Sequence, residues 1–283
     1  MGAAPHPGRF PWPLLDTGWT PYPTVLAGTA LLAALYLSAA GPLRRRYGWS
    51  PAPPPPGDVA MFLAGDAIVL LALVSPLDRL ADRYLFSAHM LQHMLLVLAA
   101  APLLVAGSPG WMLAPLLAKK WIRPAAAALS GPVPGFLVFN GTFLLWHLPA
   151  LYDFALESEG WHAFMHLSFL AAAVVGWWPV LGRVPELRRL ATPSKILYLA
   201  VSCAPMVLLS AVLVFSPGVL YASYGSAPRV FGLSPLADQQ LGGLLMWIPG
   251  GLVYAGTAGG LFVRWYGESG RTRERPGHDG RRP

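Results

Sequence analysis

Residues 86–106 read Phe-Ser-Ala-His-Met-Leu-Gln-His-Met-Leu-Leu-Val-Leu-Ala-Ala-Ala-Pro-Leu-Leu-Val-Ala. The stretch has no Asp, Glu, Lys or Arg over 21 residues, enough for a helix to cross roughly 30 Å of hydrocarbon. Its only ionisable groups are His89 and His93, four positions apart near one end. The whole chain agrees with its lipid-soluble character. Of 283 residues, 55% are hydrophobic and 12% charged, about half the charge of an ordinary soluble domain. Mean hydropathy is +0.50. A large soluble domain and a disordered chain are both excluded by that balance.

Working outward, seven stretches are apolar enough to span: 23–41, 59–76, 86–106, 135–150, 161–182, 195–216 and 239–262. The expected fold is therefore all-α, a polytopic bundle of seven transmembrane helices over residues 23–262. It is preceded by a Pro-rich extracytoplasmic tail (1–22) and followed by a basic cytoplasmic tail (263–283). From Gly267 onward the tail reads as disordered. Pro5, Pro7, Pro11, Pro13 and Pro21 fill the first segment, which lacks the pattern of a cleaved signal. The 30 Gly and 30 Pro suit membrane helices and their loops. Gly242, Gly243, Gly250, Gly251, Gly256, Gly259 and Gly260 mark the last span for close packing or bending at Pro249.

Sidedness follows from the basic residues. Arg44, Arg45 and Arg46, then Lys119, Lys120 and Arg123, then Arg183, Arg188, Arg189 and Lys195 fall in alternate loops. Arg264, Arg271, Arg273, Arg275, Arg281 and Arg282 join them at the C-terminal end. Sixteen of 20 thus sort to one side, leaving Arg9, Arg79, Arg83 and Arg229 on the other. The N-terminus is expected outside and the C-terminus in the cytoplasm, in a bacterial plasma membrane. The net charge of +7 is then a topology signal and implies no nucleic-acid partner. Asp16, Asp78, Asp82, Asp153, Glu157, Glu159 and Asp238 make the outer side mildly anionic, a surface suited to cations.

Five of the seven histidines, His89, His93, His147, His162 and His166, lie within proposed spans, where ionisable groups are costly and mark function by default. With alternating span directions all five fall in the outer third of the bilayer. His89 and His93, like His162 and His166, are i,i+4 pairs on one helix face, the spacing with which a helix chelates a metal. Interhelical hydrogen bonds are the alternative use of such side chains. Met90, Met94 and Met165 sit beside the histidines, and imidazole with thioether suits copper, Cu(I) especially. Each Met is nevertheless rotated about 100° from its neighbour, which favours packing. Cys203, the one cysteine, forms a CxxM pair with Met206, a possible soft transfer site. Asp153 and Glu157, between His147 and His162, could orient imidazole N–H groups. Asp66, deep in the second span, must be protonated, paired or wet. Residues 217–237, with Tyr221, Tyr224 and Phe231, could fold over the outer ends of the helices. Residues 107–134 could form an interfacial helix on the opposite face.

The residues His89-Met-Leu-Gln-His93-Met, Trp146-His147-Leu-Pro149 with Leu151-Tyr152-Asp153, and His162-Ala-Phe-Met165-His166 resemble a known set. Trp177-Trp178-Pro179-Val180, Asp238-Gln239-Gln240-Leu-Gly242-Gly243 and Met246-Trp247-Ile-Pro249-Gly250 complete it, in the same order. The chain is similar to the CtaG assembly factors of cytochrome c oxidase, of the caa-oxidase branch. The resemblance implies a polytopic membrane protein needed to build active haem–copper oxidase. Copper delivery is the implied role, with oxidase subunits or other assembly factors and the lipid bilayer as partners. The single-span copper protein that shares the CtaG name is a different molecule, since its cysteine motif is absent here.

The expected function is accordingly a non-enzymatic metallochaperone. Only neutral imidazole binds metal, so affinity should fall below about pH 6.5. A membrane haem or non-haem iron oxidoreductase is the alternative, although bis-His haem takes one His from each of two helices. A metal or proton-coupled transporter, with Asp66 on its path, would hold its site nearer the midplane.

Overall fold

The computed structural model describes residues 19–273 and is all-helical, with no strand among the described residues. Proline sets where most helices begin. Its fixed φ suits the first turn, where its missing N–H costs nothing. Helix α1 (Pro23–Tyr47) starts in this way and ends at Gly48, whose φ of 63° is the left-handed cap that glycine adopts freely. Prolines likewise open α2 (Pro56–Val74) and the short α3 (Pro76–Arg83). Helix α4 (Phe86–Ala106) carries a π-helical turn over Leu95–Ala100, directly after His93. A bent pair follows, α5 (Ile122–Leu129) and α6 (Pro132–Trp146). Then come α7 (Pro149–Leu156), α8 (Glu159–Leu181), α9 (Thr192–Phe215), α10 (Ala222–Gly225) and α11 (Pro235–Arg273).

Among the described residues six helices are long and apolar enough to cross a membrane: α1, α2, α4, α8, α9 and α11. A seventh crossing exists only if α5 and α6, bent by 79°, are taken together. The fourth expected span is thus shifted from 135–150 to Pro132–Trp146 and is shorter. The cause is Pro149: it pushes Leu148 to an extended conformation (ψ 123°) and begins α7. Fifteen residues rise about 22 Å, short of the hydrocarbon thickness. The expected interfacial helix resolves into short pieces, Gly110–Leu113, Ala114–Leu117 and α5.

Of the Pro-rich tail expected over 1–22, residues 1–18 lie outside the described residues. The basic tail expected from 263 is helical as far as Arg273, because no proline follows Pro249 until Pro276; residues 274–283 lie outside the described residues.

The bundle alternates in direction. At one end the Tyr36 hydroxyl donates to Gly107 O (2.9 Å), and Arg183 bridges Asp58 (3.0 Å) and Ala106 O. The end of α1, the start of α2, the end of α4 and the segment after α8 therefore meet there, together with the loops rich in Lys and Arg. Apolar side chains such as Leu197, Leu208, Phe215, Leu252 and Val263 project outward, the surface that lipid would cover. Inside, α9 and α11 pack closely through glycine: a Cβ on Gly243 would stand 2.9 Å from Val214, and one on Gly250 2.7 Å from Met206. Gly251, Gly256, Gly259 and Gly260 face open space, so only part of the glycine stripe serves packing.

A candidate metal centre of buried imidazoles

Two devices fix the first turns of α4. From α11, the buried Asp238 carboxylate accepts hydrogen bonds from Phe86 N (2.7 Å), Ser87 N (3.1 Å) and Ser87 Oγ (2.5 Å). An anion on otherwise unpaired helix-start amides satisfies them and opposes the helix dipole. One turn on, Gln92 Nε2 donates to Ala72 O (2.9 Å) and to Asp78 Oδ1 (2.8 Å), and Asp78 also accepts from Thr20 Oγ1 (2.9 Å). Burial pushes the Asp78 carboxyl above the usual carboxylate range, against the effect of those two hydrogen bonds. Below the histidines Trp177 Nε1 donates to Val97 O (2.8 Å), satisfying a carbonyl of the π-helical turn.

On this support, His89 and His93 of α4 and His166 of α8 each place a ring nitrogen within 4.8 Å of the others. Their exposures are 0%, 1% and 6%, so the nitrogens lie away from bulk solvent. The rings meet edge-on: centroids are 4.3 Å apart for His89–His93, 5.5 Å for His89–His166 and 5.2 Å for His93–His166.

The hydrogen-bond pattern around the cluster is uneven. Tyr224 donates to Ala81 O (2.6 Å). With its proton so placed, the Tyr224 hydroxyl can only accept from His89 Nδ1, at 2.7 Å, and the Tyr152 hydroxyl stands 2.8 Å from the same nitrogen. Nδ1 then carries the hydrogen, and the Nε2 lone pair faces the neighbouring imidazoles. That tautomer, oriented from behind by a hydrogen-bond partner, is the one metal-ligating histidines adopt. His147 is set similarly, its Nδ1 2.7 Å from Phe143 O. In contrast, both nitrogens of His93 and Nε2 of His147 and His166 are buried with no hydrogen-bond partner. Each buried unpaired polar group costs about 1–3 kcal/mol. Unpaired buried nitrogens on His93 and His166, within the triad, and on the neighbouring His147 are the chemistry of a site built for an electrophile.

The remaining sequence-flagged residues divide. His147 stands beside the triad, its ring 6.2 Å from that of His93. His162 stands at the rim, Nε2 3.4 Å from His89 Nε2 and Nδ1 3.2 Å from Asp82 Oδ1. Met90, Met94 and Met165 belong to the apolar core, with Met90 directed at Gly242. Met206 packs at Gly250, and Cys203 lies at the edge of the same core. Asp153 does not orient an imidazole. Its carboxylate accepts from Ala222 N, Ser223 N and Ser223 Oγ (2.6 Å), holding the start of α10. The pull of two free amides and a hydroxyl accounts for that choice. Asp66 is buried, with Oδ1 unpartnered. The loop over 217–237 does fold across the site: Tyr221 donates to His147 O (3.0 Å) and stacks on Phe86 (4.8 Å).

Tyr152, Tyr224 and Asp82 contact the histidines, Gln92 ties down the helix that carries two of them, and none has metal-site spacing in the sequence. The one signal for Tyr152 was its place in the quoted Leu151-Tyr152-Asp153 motif.

The family model described as cytochrome c oxidase caa3 assembly factor matches residues 34–268. A protein of Mycobacterium bovis, called uncharacterized, is 28% identical over 238 residues, covering 78% of this chain and 35% of its own. One of Mycobacterium tuberculosis gives the same figures, and one of Mycobacterium leprae is 27% identical over 209 residues, covering 68% and 32%. The chain spans about a third of the length of these relatives. No solved structure matches it. With the family match running through the bundle and every histidine of the cluster, the chain belongs to the cytochrome c oxidase caa3 assembly factor family.

Proposed function

We propose that this protein is a non-enzymatic assembly factor for haem–copper cytochrome c oxidase that holds copper, as Cu(I), in its imidazole cluster and passes it to an oxidase subunit. Family membership supports the assembly role. The observation that carries the copper assignment is His93: 1% exposed, both nitrogens unpartnered, between His89 and His166. Three metal–imidazole bonds of about 2.0 Å place trigonal nitrogens about 3.5 Å apart, so a triad whose nitrogens lie within 4.8 Å of one another is in reach of one ion. Imidazole suits copper as it suits zinc, iron and nickel, and copper stands at the top of the divalent affinity order. The edge-on crowding of the rings leaves no plane for a macrocycle, which weighs against haem.

The protein is taken to sit in the bacterial plasma membrane with the N-terminus outside. The basic loops then face the cytoplasm, and the cluster lies near the outer surface, where an oxidase copper site could be loaded. Elemental analysis of detergent-purified protein tests the reading. Wild type should carry copper near one equivalent per chain, and the double variant His93→Ala, His166→Ala should lose most of it. Equal copper in both would sink the proposal, and iron in place of copper would favour an oxidoreductase.

A further inference from the structure

Four of the five imidazoles are buried, and His162 alone is partly exposed. It joins two environments. Its Nε2 is 3.4 Å from His89 Nε2, inside the cluster, and its Nδ1 is 3.2 Å from Asp82 Oδ1. Asp82, whose side chain is 29% exposed, in turn lines a cleft of about 200 Å³ together with Thr20, Tyr22, Arg79 and Arg83. From that cleft a chain of contacts leads inward: cleft, Asp82, His162, His89.

We infer that this cleft is the port of the metal centre, with His162 as the exchange ligand that moves a soft monovalent cation between the port and the buried triad, and Asp82 as the residue that positions it. The inference rests on the copper reading above and adds the route by which the ion is exchanged. An ion sealed among 0–6% exposed imidazoles cannot be reached by an incoming donor. Ligand exchange at a two- or three-coordinate centre proceeds through a transient extra ligand, and His162 is placed to be that ligand on the side facing solvent. As neutral imidazole it gives its Nδ1 hydrogen to the Asp82 carboxylate and keeps the Nε2 lone pair toward His89, the same orientation from behind that Tyr224 gives His89. The cleft carries both signs: Arg79 and Arg83 line it with Asp82, and Arg83 Nε stands 3.9 Å from Asp82 Oδ2, so the carboxylate is shared between that arginine and His162.

The test uses the full chain in detergent loaded with Ag(I) or Cu(I), challenged with excess of a water-soluble Cu(I) chelator and followed by stopped flow. Relative to wild type, Asp82→Asn should slow release at least tenfold while the amount loaded at equilibrium falls by less than half. Asp82→Glu, which keeps the carboxylate, should recover most of the rate, and His162→Gln should slow release at least as much as Asp82→Asn. A release rate within twofold of wild type in a normally loaded Asp82→Asn protein overturns the port and leaves the copper reading standing. Wild-type protein that takes up neither ion overturns both. Loss of loading in Asp82→Asn as complete as in His93→Ala also overturns the port, because Asp82 would then support the seat itself.

Discussion

At the scale of single residues, the cluster depends on which nitrogen of each imidazole is free. His89 owes its free Nε2 to Tyr224, whose own proton is committed to Ala81 O. Removing that hydroxyl with Tyr224→Phe frees the ring to take the other tautomer. The expected result is a 10–100-fold loss of copper affinity, typical of losing a hydrogen-bond partner behind a metal ligand. A competition titration against a Cu(I) chelator measures it, and an unchanged affinity would show that Tyr224 only packs. The five histidines were legible in the sequence because i,i+4 spacing and shared depth need only helical geometry. Tyr224 and Tyr152 were not, because they reach His89 across 135 and 63 positions, and only the folded loops bring them there. Asp153 shows the converse. Its position beside His147 in sequence suggested an imidazole partner, but the unpaired amides of Ala222 and Ser223 hold it instead.

At the scale of elements, α4 is the part on which the site stands, and its start is fastened from α11. Asp238→Ala would leave the amides of Phe86 and Ser87 buried and unpaired, a loss of about 1–3 kcal/mol for each group. A lowered melting temperature in detergent together with reduced copper loading is expected. Full loading at wild-type stability would contradict the fastening role. Asp238→Asn, which still offers one acceptor oxygen, should be milder. Helix existence was readable from apolar length, and proline placed many of the starts. The boundary of α6 was not, because a 15-residue helix ended by Pro149 has the composition of a span without its length. The far end of α11 was missed for the opposite reason: polar composition reads as tail, yet nothing in the residues up to Arg273 stops a helix.

At the scale of the molecule, charge and depth coincide. The arginine- and lysine-rich loops gather at the end where Arg183 meets Asp58, and the imidazoles lie toward the opposite end, roofed by Tyr221 and Tyr224. If the basic end is cytoplasmic, the copper site opens outward. In a Cys203→Ser background, Ser226→Cys should react with a membrane-impermeant maleimide in intact cells, and Lys120→Cys only after permeabilisation. The reverse pattern would invert the topology and with it the direction of delivery. Composition alone disclosed the membrane, and alternating charge the sidedness. What a linear reading could not supply was the contrast between paired and unpaired nitrogens, which exists only once α4, α6 and α8 are packed together.

The central claim is that buried imidazole nitrogens, rather than the neighbouring thioethers or Cys203, hold the metal. X-ray absorption at the copper edge of the Cu(I)-loaded protein tests it most directly. Two or three nitrogen scatterers at about 2.0 Å with imidazole outer-shell scattering are expected. A dominant sulfur shell near about 2.3 Å would contradict the account.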